Sequence, residues 1–463
     1  MKHWVKIHPE TKAFSTLSGD HNPLHIDKSY AAKTSFGRPV IHGMELIFHC
    51  LEMFLDKKPN NFFEIESLHC GFIKPGFCSE VLSVLFFEKS AGVCTCSVYT
   101  ENRKTLLVKC HVSFKEISAE NWDYFKLNTP NHFSPLQINT HDIESVKDES
   151  GEIDLGVNSE QLQIHFPLIS KQLSFNHCAF LLAITRLIGM KVPGQRALFN
   201  EIRFKSQRSS LEIDSLKFEV ARVKTRLGSF VLSASNPTIE AVCKVSVLPV
   251  ATPSNEFASS YPLKNLKQKA LVVAGTGSLG EITVKMLVQA GLSVVFTYKT
   301  EDERVKTLEL YSNGLALGIQ VNNLDSLEAV MLNHEFTHLY YFPTPNVFDR
   351  TPDSFDLGKF CEFSAVYIDL LDDYLKYCKP CAVFIPSTIA IEEPVAGMAT
   401  YAAAKAAMET WCMQYGNQNP NITFLVKRLP RLESRQTATY LALSEDPISY
   451  ISKVITEMEL LSG

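Results

Sequence analysis

The spacing of apolar and polar positions changes near residue 267, and the two parts of the chain predict different architectures. Before that point, an apolar helix at 41–55 is followed by β-branched and aromatic strands at 67–73, 81–90, 93–102 and 106–117. The same order returns as a helix at 175–190 and strands at 197–207, 215–223, 229–236 and 238–249. A helix followed by an antiparallel meander, found twice, predicts two α+β units of similar construction.

Beyond residue 267, short apolar strands alternate with helices. The strands are expected at 269–275, 292–299, 315–322, 338–343, 382–387 and 422–429. Such alternation predicts a parallel sheet covered by helices on both faces, which is the doubly wound α/β arrangement of nucleotide-binding domains.

A chain of 463 residues is too long for one hydrophobic core, so several domains are expected. A segment poor in periodicity, at 121–160, connects the two α+β units, and the stretch ATPSNEFASSYP marks a linker. The predicted order is a first α+β unit at 1–120, the connecting segment at 121–160, a second α+β unit at 161–252, a linker at 253–266 and an α/β domain at 267–463.

The composition mainly excludes classes of partner and of cellular location. The formal net charge of −5 gives no electrostatic reason to expect nucleic acid or an anionic membrane as partner. No secretory signal or apolar run of membrane-spanning length is found, so a cytoplasmic chain is expected. The twelve cysteines are scattered and read as reduced thiols. In CKPC, Cys378 to Cys381, a helix-to-strand turn is favoured over a redox pair.

The first candidate site is FSTLSGDHNPLHIDKSYA, residues 14–31, which concentrates acid, amide and imidazole groups. His21 and His25 stand four positions apart, but Pro23 between them argues against one helical face that would bind a metal, and no metal is predicted. An Asx turn would explain Asp20 or Asn22 singly, but not the whole stretch.

This stretch and the following FGRPVIHGM, Phe36 to Met44, resemble the MaoC-like (R)-specific enoyl-thioester hydratases of the hotdog fold. The matching positions in the first stretch are Phe14, Ser18, Gly19, Asp20, Asn22, Pro23, Leu24, His25 and Ala31. The likeness covers about the first 115 residues. In that family a long helix is wrapped by an antiparallel sheet and two such units pair, which implies a double hotdog here. The second copy lacks the motif and is expected to be degenerate.

Adding water to a double bond beside a thioester, or removing it, requires acid and base groups together with donors for the enolate oxygen. The resemblance implies that Asp20 and His25 supply the acid and base chemistry, and that Asn22 orients the aspartate. It also implies that the backbone N–H of Gly43, at the start of the hotdog helix, holds the thioester oxygen. His42 is expected to be structural.

The second candidate site is a glycine-rich turn after a strand and before a helix, the context of a dinucleotide-binding loop. Its predicted cofactor contacts are Gly275, Thr276, Gly277, Leu279 and Gly280. A packing turn without a ligand is the alternative. The next strand ends in Lys299, which would attract a 2′-phosphate, so NADPH is expected rather than NADH; an ordinary solvated lysine is the alternative.

Tyr401 and Lys405 form a Y-x-x-x-K pair on one helix, where the lysine is expected to lower the phenol pKa, and Ser387 precedes them at a strand end. Residues 267–440 thus resemble the short-chain dehydrogenase/reductases, particularly their ketoacyl-thioester reductases. The resemblance implies that Tyr401 protonates a ketone, Lys405 assists and binds ribose, and Ser387 holds the carbonyl oxygen. The opening Thr-Gly of that family's glycine motif is absent, and its long helix has no asparagine here.

The combined expectation is a bifunctional, multidomain enzyme: NADPH-dependent reduction of a 3-oxoacyl thioester, and dehydration or hydration between (R)-3-hydroxyacyl and trans-2-enoyl thioesters. Such steps belong to fatty-acid or polyketide-type metabolism. The acyl group would be carried by coenzyme A or an acyl carrier protein. Two alternatives stay open for assembly: a homodimer paired through the Tyr401 helix, or pairing of the two hotdog units within one chain. The alternatives are a hydratase with a catalytically inactive reductase-like scaffold, and a hydratase/dehydrogenase of the β-oxidation direction.

Overall fold

The computed structural model divides the chain into two compact units, with the main border between Pro249 and Val250. It describes residues 2–31, 34, 36–58, 60–206, 215–249, 267–299, 303–345, 347, 355–377, 381–432, 434, 437 and 445–461. The predicted linker at 253–266 lies outside the described residues, as does Cys378. Within the described residues, no helix combines the length and apolar character needed to cross a membrane.

The first unit is built on a ten-stranded antiparallel sheet. Its strands are β1 (Lys2–Ile7), β2 (Phe62–Phe72), β3 (Leu82–Ser90), β4 (Val93–Thr100), β5 (Leu106–Ile117), β6 (Ser150–Asp154), β7 (Ala197–Ser206), β8 (Ser215–Lys224), β9 (Ser229–Asn236) and β10 (Ile239–Val247). Its helices are α1 (Thr11–Ser18), α2 (Pro23–Ile26), α3 (Lys28–Ala31), α4 (Gly43–Leu55), α5 (Ala119–Asn128), α6 (Ser159–His165), α7 (Pro167–Gln172) and α8 (Phe175–Arg186).

The order of strands shows that the sheet has two halves of the same design. It runs β1-β3-β4-β5-β2 and continues as β7-β10-β9-β8-β6, so that β2 and β7 meet at the centre. The apolar helix α4 packs on β3, β4 and β5 of the first half, and every residue of α8 is buried in the second. Both predicted meanders are therefore present. The outer strands β1 and β6 were not predicted, and β6 lies in the stretch expected to be a connection.

The second unit has a six-stranded parallel sheet with helices along it. Its strands are β11 (Ala270–Val273), β12 (Val294–Tyr298), β13 (Ala316–Gln320), β14 (His338–Tyr341), β15 (Cys381–Thr388) and β16 (Ile422–Leu429). Its helices are α9 (Ser278–Gln289), α10 (Glu303–Tyr311), α11 (Leu324–Asn333), α12 (Leu357–Ser364), α13 (Leu370–Leu375), α14 (Ala399–Gln418) and α15 (Pro447–Leu460).

The order β13-β12-β11-β14-β15-β16 is that of a doubly wound, Rossmann-type sheet. The chain reverses its direction of travel across the sheet at β11, and ligands of this architecture bind beside the carboxyl ends of the strands at such a point. The glycine-rich turn between β11 and α9 lies at that point. The α/β prediction for this part of the chain agrees with the observed topology.

Candidate active sites

The first motif reaches its conformation through two short helices. Helix α1 ends at Ser18, and Gly19 follows in the left-handed region with a φ of 74°. The side chain of Asn22 then accepts a hydrogen bond from the backbone N–H of Leu24 and caps α2, whose first residue is Pro23. Asp20 lies in the connection between these helices and is 2 % exposed.

The Asp20 carboxylate is surrounded by donors. The hydroxyl of Thr185 donates to its Oδ2 over 2.8 Å, and the backbone N–H of Asn22 donates to its Oδ1 over 3.2 Å. His42 Nε2 lies 3.1 Å from the Asp20 carbonyl oxygen and 3.8 Å from Oδ2. Burial raises the pKa of Asp20, while the charge of His25 and the hydrogen bond from Thr185 oppose that shift.

His25 is held in one tautomer. Its Nδ1 lies 2.6 Å from the carbonyl oxygen of Val40, so Nδ1 carries the proton and Nε2 keeps a lone pair. Burial lowers the pKa of His25, and the nearby Asp20 charge opposes that shift. At neutral pH, therefore, His25 can act as a base through Nε2.

The geometry bears on metal binding in two ways. His21, the other half of the sequence pair, is exposed, and its Nδ1 hydrogen-bonds with Ser15 over 2.8 Å. Asp20, His25 and His42 instead have ligand atoms within 4.8 Å of one another. The two imidazole rings stack with centroids 3.7 Å apart and an interplanar angle of 29°. Because nitrogen lone pairs lie in the ring plane, stacked rings do not direct them at one ion.

The side chain of Asn22 has a different place from the predicted one. Its amide nitrogen donates to the carbonyl oxygens of Gly189 and Gly194, over 3.1 and 3.0 Å, and its oxygen caps α2. The contact with the Asp20 carboxylate comes from its backbone N–H. The prediction that Asn22 orients the aspartate thus depends on its backbone N–H, while its side chain fastens the motif to the second half of the sheet.

A cavity of about 160 Å³ opens beside these residues. Its wall combines Asp20, His25 and Gly43 with apolar side chains from both halves, among them Phe72 and Phe199. Gly43 is the first residue of α4, and backbone N–H groups in a first helical turn have no carbonyl partner within the helix. A Cβ on Gly43 would lie 2.7 Å from the Phe72 ring, so a side chain there would displace that ring.

In the second unit, the glycine-rich turn carries a left-handed residue that is not glycine. Ala274 has a φ of 60°, and its N–H donates to the Thr297 hydroxyl over 3.2 Å. The turn then approaches its surroundings closely: a Cβ on Gly275 would lie 2.6 Å from Phe296, and one on Gly280 would lie 2.4 Å from the Ala274 carbonyl oxygen. Gly277 caps α9 without a side-chain hydrogen bond, and the N-terminus of a helix favours an anion.

Two cations flank this turn. Lys299, predicted from the sequence, is exposed just after β12. Arg304, on α10, donates from Nη1 to the carbonyl oxygen of Thr276 over 2.6 Å. Thr276 and the glycine-rich turn thus have an arginine beside them that sequence reasoning did not identify.

The hydroxyl that meets Tyr401 belongs to Thr388. Burial raises the pKa of Tyr401 to about 12, and the Thr388 hydroxyl opposes that shift. The hydroxyl of Ser387 instead donates to Glu409, which also binds Arg428. Successive residues of β15 face opposite sides, which separates Ser387 from Thr388. The structure therefore does not bring Ser387 to Tyr401.

Lys405 lies one helical turn after Tyr401 on α14 and is 4 % exposed. Its Nζ donates to the carbonyl oxygen of Pro386 over 2.7 Å and lies 3.8 Å from the centre of the Tyr367 ring. Burial lowers the pKa of Lys405 to about 7. The expectation of a lowered Tyr401 pKa is wrong for this arrangement, because burial raises that pKa to about 12.

Tyr367 belongs to a π-helical turn, Ala365–Asp369, in the long helix that lacks the expected asparagine. Such turns recur at functional sites. The Tyr367 hydroxyl hydrogen-bonds with Thr344 over 2.7 Å, and its ring faces Lys405. An aromatic residue thus occupies the space beside the lysine.

Sequence reasoning missed Thr185, Thr388, Arg304 and the contact between His42 and His25. Thr185 and Arg304 lie far along the chain from the groups they contact, so no local pattern identifies them. Thr388 could have been weighed against Ser387, because both end the same strand before the Tyr401 helix. His42 stands next to Gly43 in the quoted motif, and its position at a helix start was the available signal.

Comparison with known proteins supports the first site. Residues 2–105 match the family model described as MaoC like domain. Over 37 residues the chain is 57 % identical to the (R)-specific enoyl-CoA hydratase of Aeromonas caviae, covering 8 % of this chain and 28 % of that protein. Over 81 residues it is 31 % identical to the peroxisomal multifunctional enzyme type 2 of Mus musculus, covering 17 % and 11 %. The N-terminal part of the chain is therefore a MaoC-like domain, which confirms the predicted resemblance.

The chain spans about a quarter of the length of the first of these curated relatives and about a tenth of the length of the second. Solved structures similar in fold include a short-chain dehydrogenase of Burkholderia cenocepacia in complex with NADP, at 15 % identity and a TM-score of 0.37, covering 42 % of this chain and 90 % of that one. A short-chain dehydrogenase/reductase of Serratia marcescens has 16 % identity and a TM-score of 0.34, covering 37 % and 78 %. The α/β assignment of the second unit rests on its own strand order.

Proposed function

We propose that the chain is a bifunctional acyl-thioester enzyme whose first unit, a double hotdog, interconverts trans-2-enoyl and (R)-3-hydroxyacyl thioesters. The observation that carries the proposal is the position of Asp20 and His25 in the wall of one apolar cavity, beside the first amide of α4. The resemblance to the MaoC-like hydratases supplies the reaction class. The second unit is proposed to reduce a 3-oxoacyl thioester with NADPH.

In the hydration direction, the Asp20 carboxylate and His25 Nε2 hold one water molecule. His25 takes a proton from this water as its oxygen bonds to C3 of the enoyl group. The electron pair of the double bond moves toward the thioester carbonyl, and the protonated His25 then returns the proton to C2. Water thus adds completely across the double bond, and dehydration follows the same route backward.

The developing negative charge on the thioester oxygen needs a donor that is in place before the reaction. The N–H of Gly43 supplies it at the N-terminus of α4, where the helix dipole also favours negative charge. The apolar side chains around the cavity exclude water from the acyl chain and leave the reacting water at the polar end.

The glycine-rich turn fits a dinucleotide. Close backbone approach at Gly275 and Gly280, the N-terminus of α9 and the switch point of the sheet suit a pyrophosphate. Lys299 and the neighbouring Arg304 favour NADPH, since both offer positive charge to a 2′-phosphate. The nicotinamide supplies a hydride when it is bound. Tyr401 would donate the proton to the ketone oxygen, with the Thr388 hydroxyl acting to lower its pKa.

A reductase-like scaffold without catalysis is the second candidate, and the Tyr401 environment favours it. Burial holds the pKa of Tyr401 at about 12, and Lys405 is engaged by Pro386 and the Tyr367 ring. A reduction followed by a dehydration would place the enzyme in fatty-acid or polyketide-type synthesis. The reverse order would place it in the oxidative direction. Coenzyme A and an acyl carrier protein are both proposed carriers.

Purified full-length protein tests both halves of the proposal. Hydration is followed by the loss of enoyl absorbance from a crotonyl thioester, and reduction by NADPH consumption with an acetoacetyl thioester. Activity in both assays supports the bifunctional enzyme. Hydration alone supports the scaffold, and NADPH binding is then measured by fluorescence. An inactive protein with crotonyl thioesters of both coenzyme A and an acyl carrier protein contradicts the first-site proposal.

A further inference from the structure

The carboxylate of Asp20 is held by the half of the sheet that has no hydratase motif. Thr185 lies in the last turn of α8, is 5 % exposed, and donates its hydroxyl hydrogen to Asp20 Oδ2 over 2.8 Å. The other carboxylate oxygen, Oδ1, accepts the N–H of Asn22 over 3.2 Å. Each oxygen thus has one donor, and the shorter bond comes from the second half.

The π-helical turn after α8, Leu187–Lys191, is shaped to this carboxylate. A Cβ on Gly189 would lie 2.0 Å from Asp20 Oδ1, a distance that no side chain allows. The carbonyl oxygen of Gly189 accepts the Asn22 amide. The second half therefore provides space for Asp20, a donor for its carboxylate and an acceptor for its neighbouring motif residue.

A hydrogen bond to this carboxylate has consequences for its charge. Asp20 is buried, and burial raises its pKa; the hydroxyl of Thr185 opposes this by stabilising the ionised form. The titratable groups that face Asp20 are His21 and His25 from its own motif and His42 from the start of α4. Burial lowers the pKa values of His25 and His42, whereas a threonine hydroxyl donates at every pH.

We infer that Thr185 is a positioning residue of the hydratase site, holding the Asp20 carboxylate in the orientation that binds the reacting water. The second half is then part of the catalytic machinery although it lacks the motif. This inference rests on the proposed function. It gives that half a chemical task besides completing the sheet.

The test is the pH dependence of crotonyl-thioester hydration by full-length protein. Thr185→Val keeps the shape of the side chain and removes the donor, so kcat should fall about tenfold with KM little changed. The acidic limb of the kcat profile should move up by about one pH unit, because an Asp20 without this donor takes up a proton more readily. Thr185→Ser restores the donor and should return both quantities toward the parent values.

Thr238→Val is the matched control. Thr238 is a buried threonine of the same half, 4 % exposed, whose hydroxyl donates to Asn236 over 3.1 Å. The variant removes this donor, and the acceptor of the Asn176 amide, outside the cavity wall, and its pH profile should match that of the parent. If Thr185→Val does not fold, Thr185→Cys replaces it, since a thiol is a weak donor and should give a smaller shift in the same direction.

The outcomes distinguish the proposed hydratase function from the inference about Thr185. A parent protein without hydratase activity overturns the proposed function and this inference with it. An active parent whose Thr185→Val or Thr185→Cys variant keeps its kcat and its acidic limb overturns the inference alone. A fall in kcat that Thr185→Ser does not reverse, or that Thr238→Val reproduces, indicates a structural role and also overturns it.

Discussion

The imidazole rings of His25 and His42 stack with their centroids 3.7 Å apart, at the point where the hydratase motif meets the start of α4. His42 is 1 % exposed, and burial, with the charge of His25, holds its pKa well below the usual range. His42 is therefore neutral wherever the site works. Its Nε2–H donates to the Asp20 carbonyl oxygen, which joins both motif residues through one ring.

This relationship predicts different effects for two substitutions of His42. His42→Phe keeps a ring against His25 but loses the hydrogen bond to Asp20, so we expect kcat to fall about five- to tenfold with an unchanged acidic limb. His42→Ala also removes the ring and admits water. The pKa of His25 should then rise toward its ordinary value, and the acidic limb should move to higher pH. Identical pH profiles for both variants would contradict this role of the stack.

The proposed chemistry of Asp20 predicts that Asp20→Asn lowers hydration of a crotonyl thioester by about a thousandfold, because the amide cannot accept hydrogen bonds as a carboxylate does. Folding should persist, since a buried charge is removed. Asp27→Asn is the control: Asp27 is exposed in the same motif and caps α3 through an oxygen that asparagine also has. Equal activity losses in the two variants would refute the assignment of Asp20.

The second unit predicts a distinction between two neighbouring hydroxyls. Thr388→Val should reduce NADPH consumption with an acetoacetyl thioester about tenfold or more, because the Thr388 hydroxyl opposes the rise in the pKa of Tyr401 that burial causes. Ser387→Ala should have a smaller effect, since Ser387 faces Glu409. The reverse ranking would restore Ser387 as the site residue. Circular dichroism of both variants checks that the sheet is intact.

Much of the fold could be predicted because apolar periodicity reflects burial within one element. The helices α4 and α8 and the meanders after them follow from that pattern. The outer strands β1 and β6 could not, because an edge strand buries one side and is short. In β6, Ser150–Asp154, one residue is buried, and its place in the sheet depends on pairing with β8. That pairing joins distant parts of the chain.

The candidate sites were predictable only where their residues are close in sequence. Asp20 and His25 belong to one motif, and its likeness to a known family brought in their chemistry. Thr185 lies 165 positions from Asp20, so its contact exists only once the two halves of the sheet have joined. The direction of the Tyr401 pKa was mistaken for a similar reason: spacing along α14 gave its neighbour Lys405, but not the burial that raises it.

The left-handed conformation of Ala274 predicts that its substitution by glycine stabilises the second unit. Its φ of 60° is a left-handed conformation that costs an alanine about 1–2 kcal/mol, and glycine avoids this cost while losing about 0.5–1 kcal/mol to chain entropy. Ala274→Gly should therefore raise the free energy of unfolding of the second unit by up to about 1 kcal/mol, measured by urea denaturation. Ala290→Gly, at a φ of −75°, should lower the free energy of unfolding. A lower free energy of unfolding in both variants would contradict the proposed strain at Ala274.

The burial of Glu45 predicts how the free energy of unfolding changes with pH. It is 1 % exposed in the first turn of α4, accepts a hydrogen bond from Thr11 over 3.0 Å, and burial raises its pKa to about 7. The folded state therefore retains a proton that the unfolded chain releases near its ordinary pKa of 4.5. The contribution of Glu45 to stability is present below that value and is lost as the pH rises through 7.

Glu45→Gln should remove this dependence while keeping an acceptor for Thr11. A rise of the pKa from 4.5 to about 7 corresponds to a difference on the order of 3 kcal/mol between pH 4.5 and pH 8. Urea denaturation at these two pH values should show the parent losing more stability than Glu45→Gln by about that amount. Glu120→Gln, at an exposed position in α5, should follow the parent. If Glu45→Gln loses as much stability with rising pH as the parent does, the claim that Glu45 stays protonated in the folded state is contradicted.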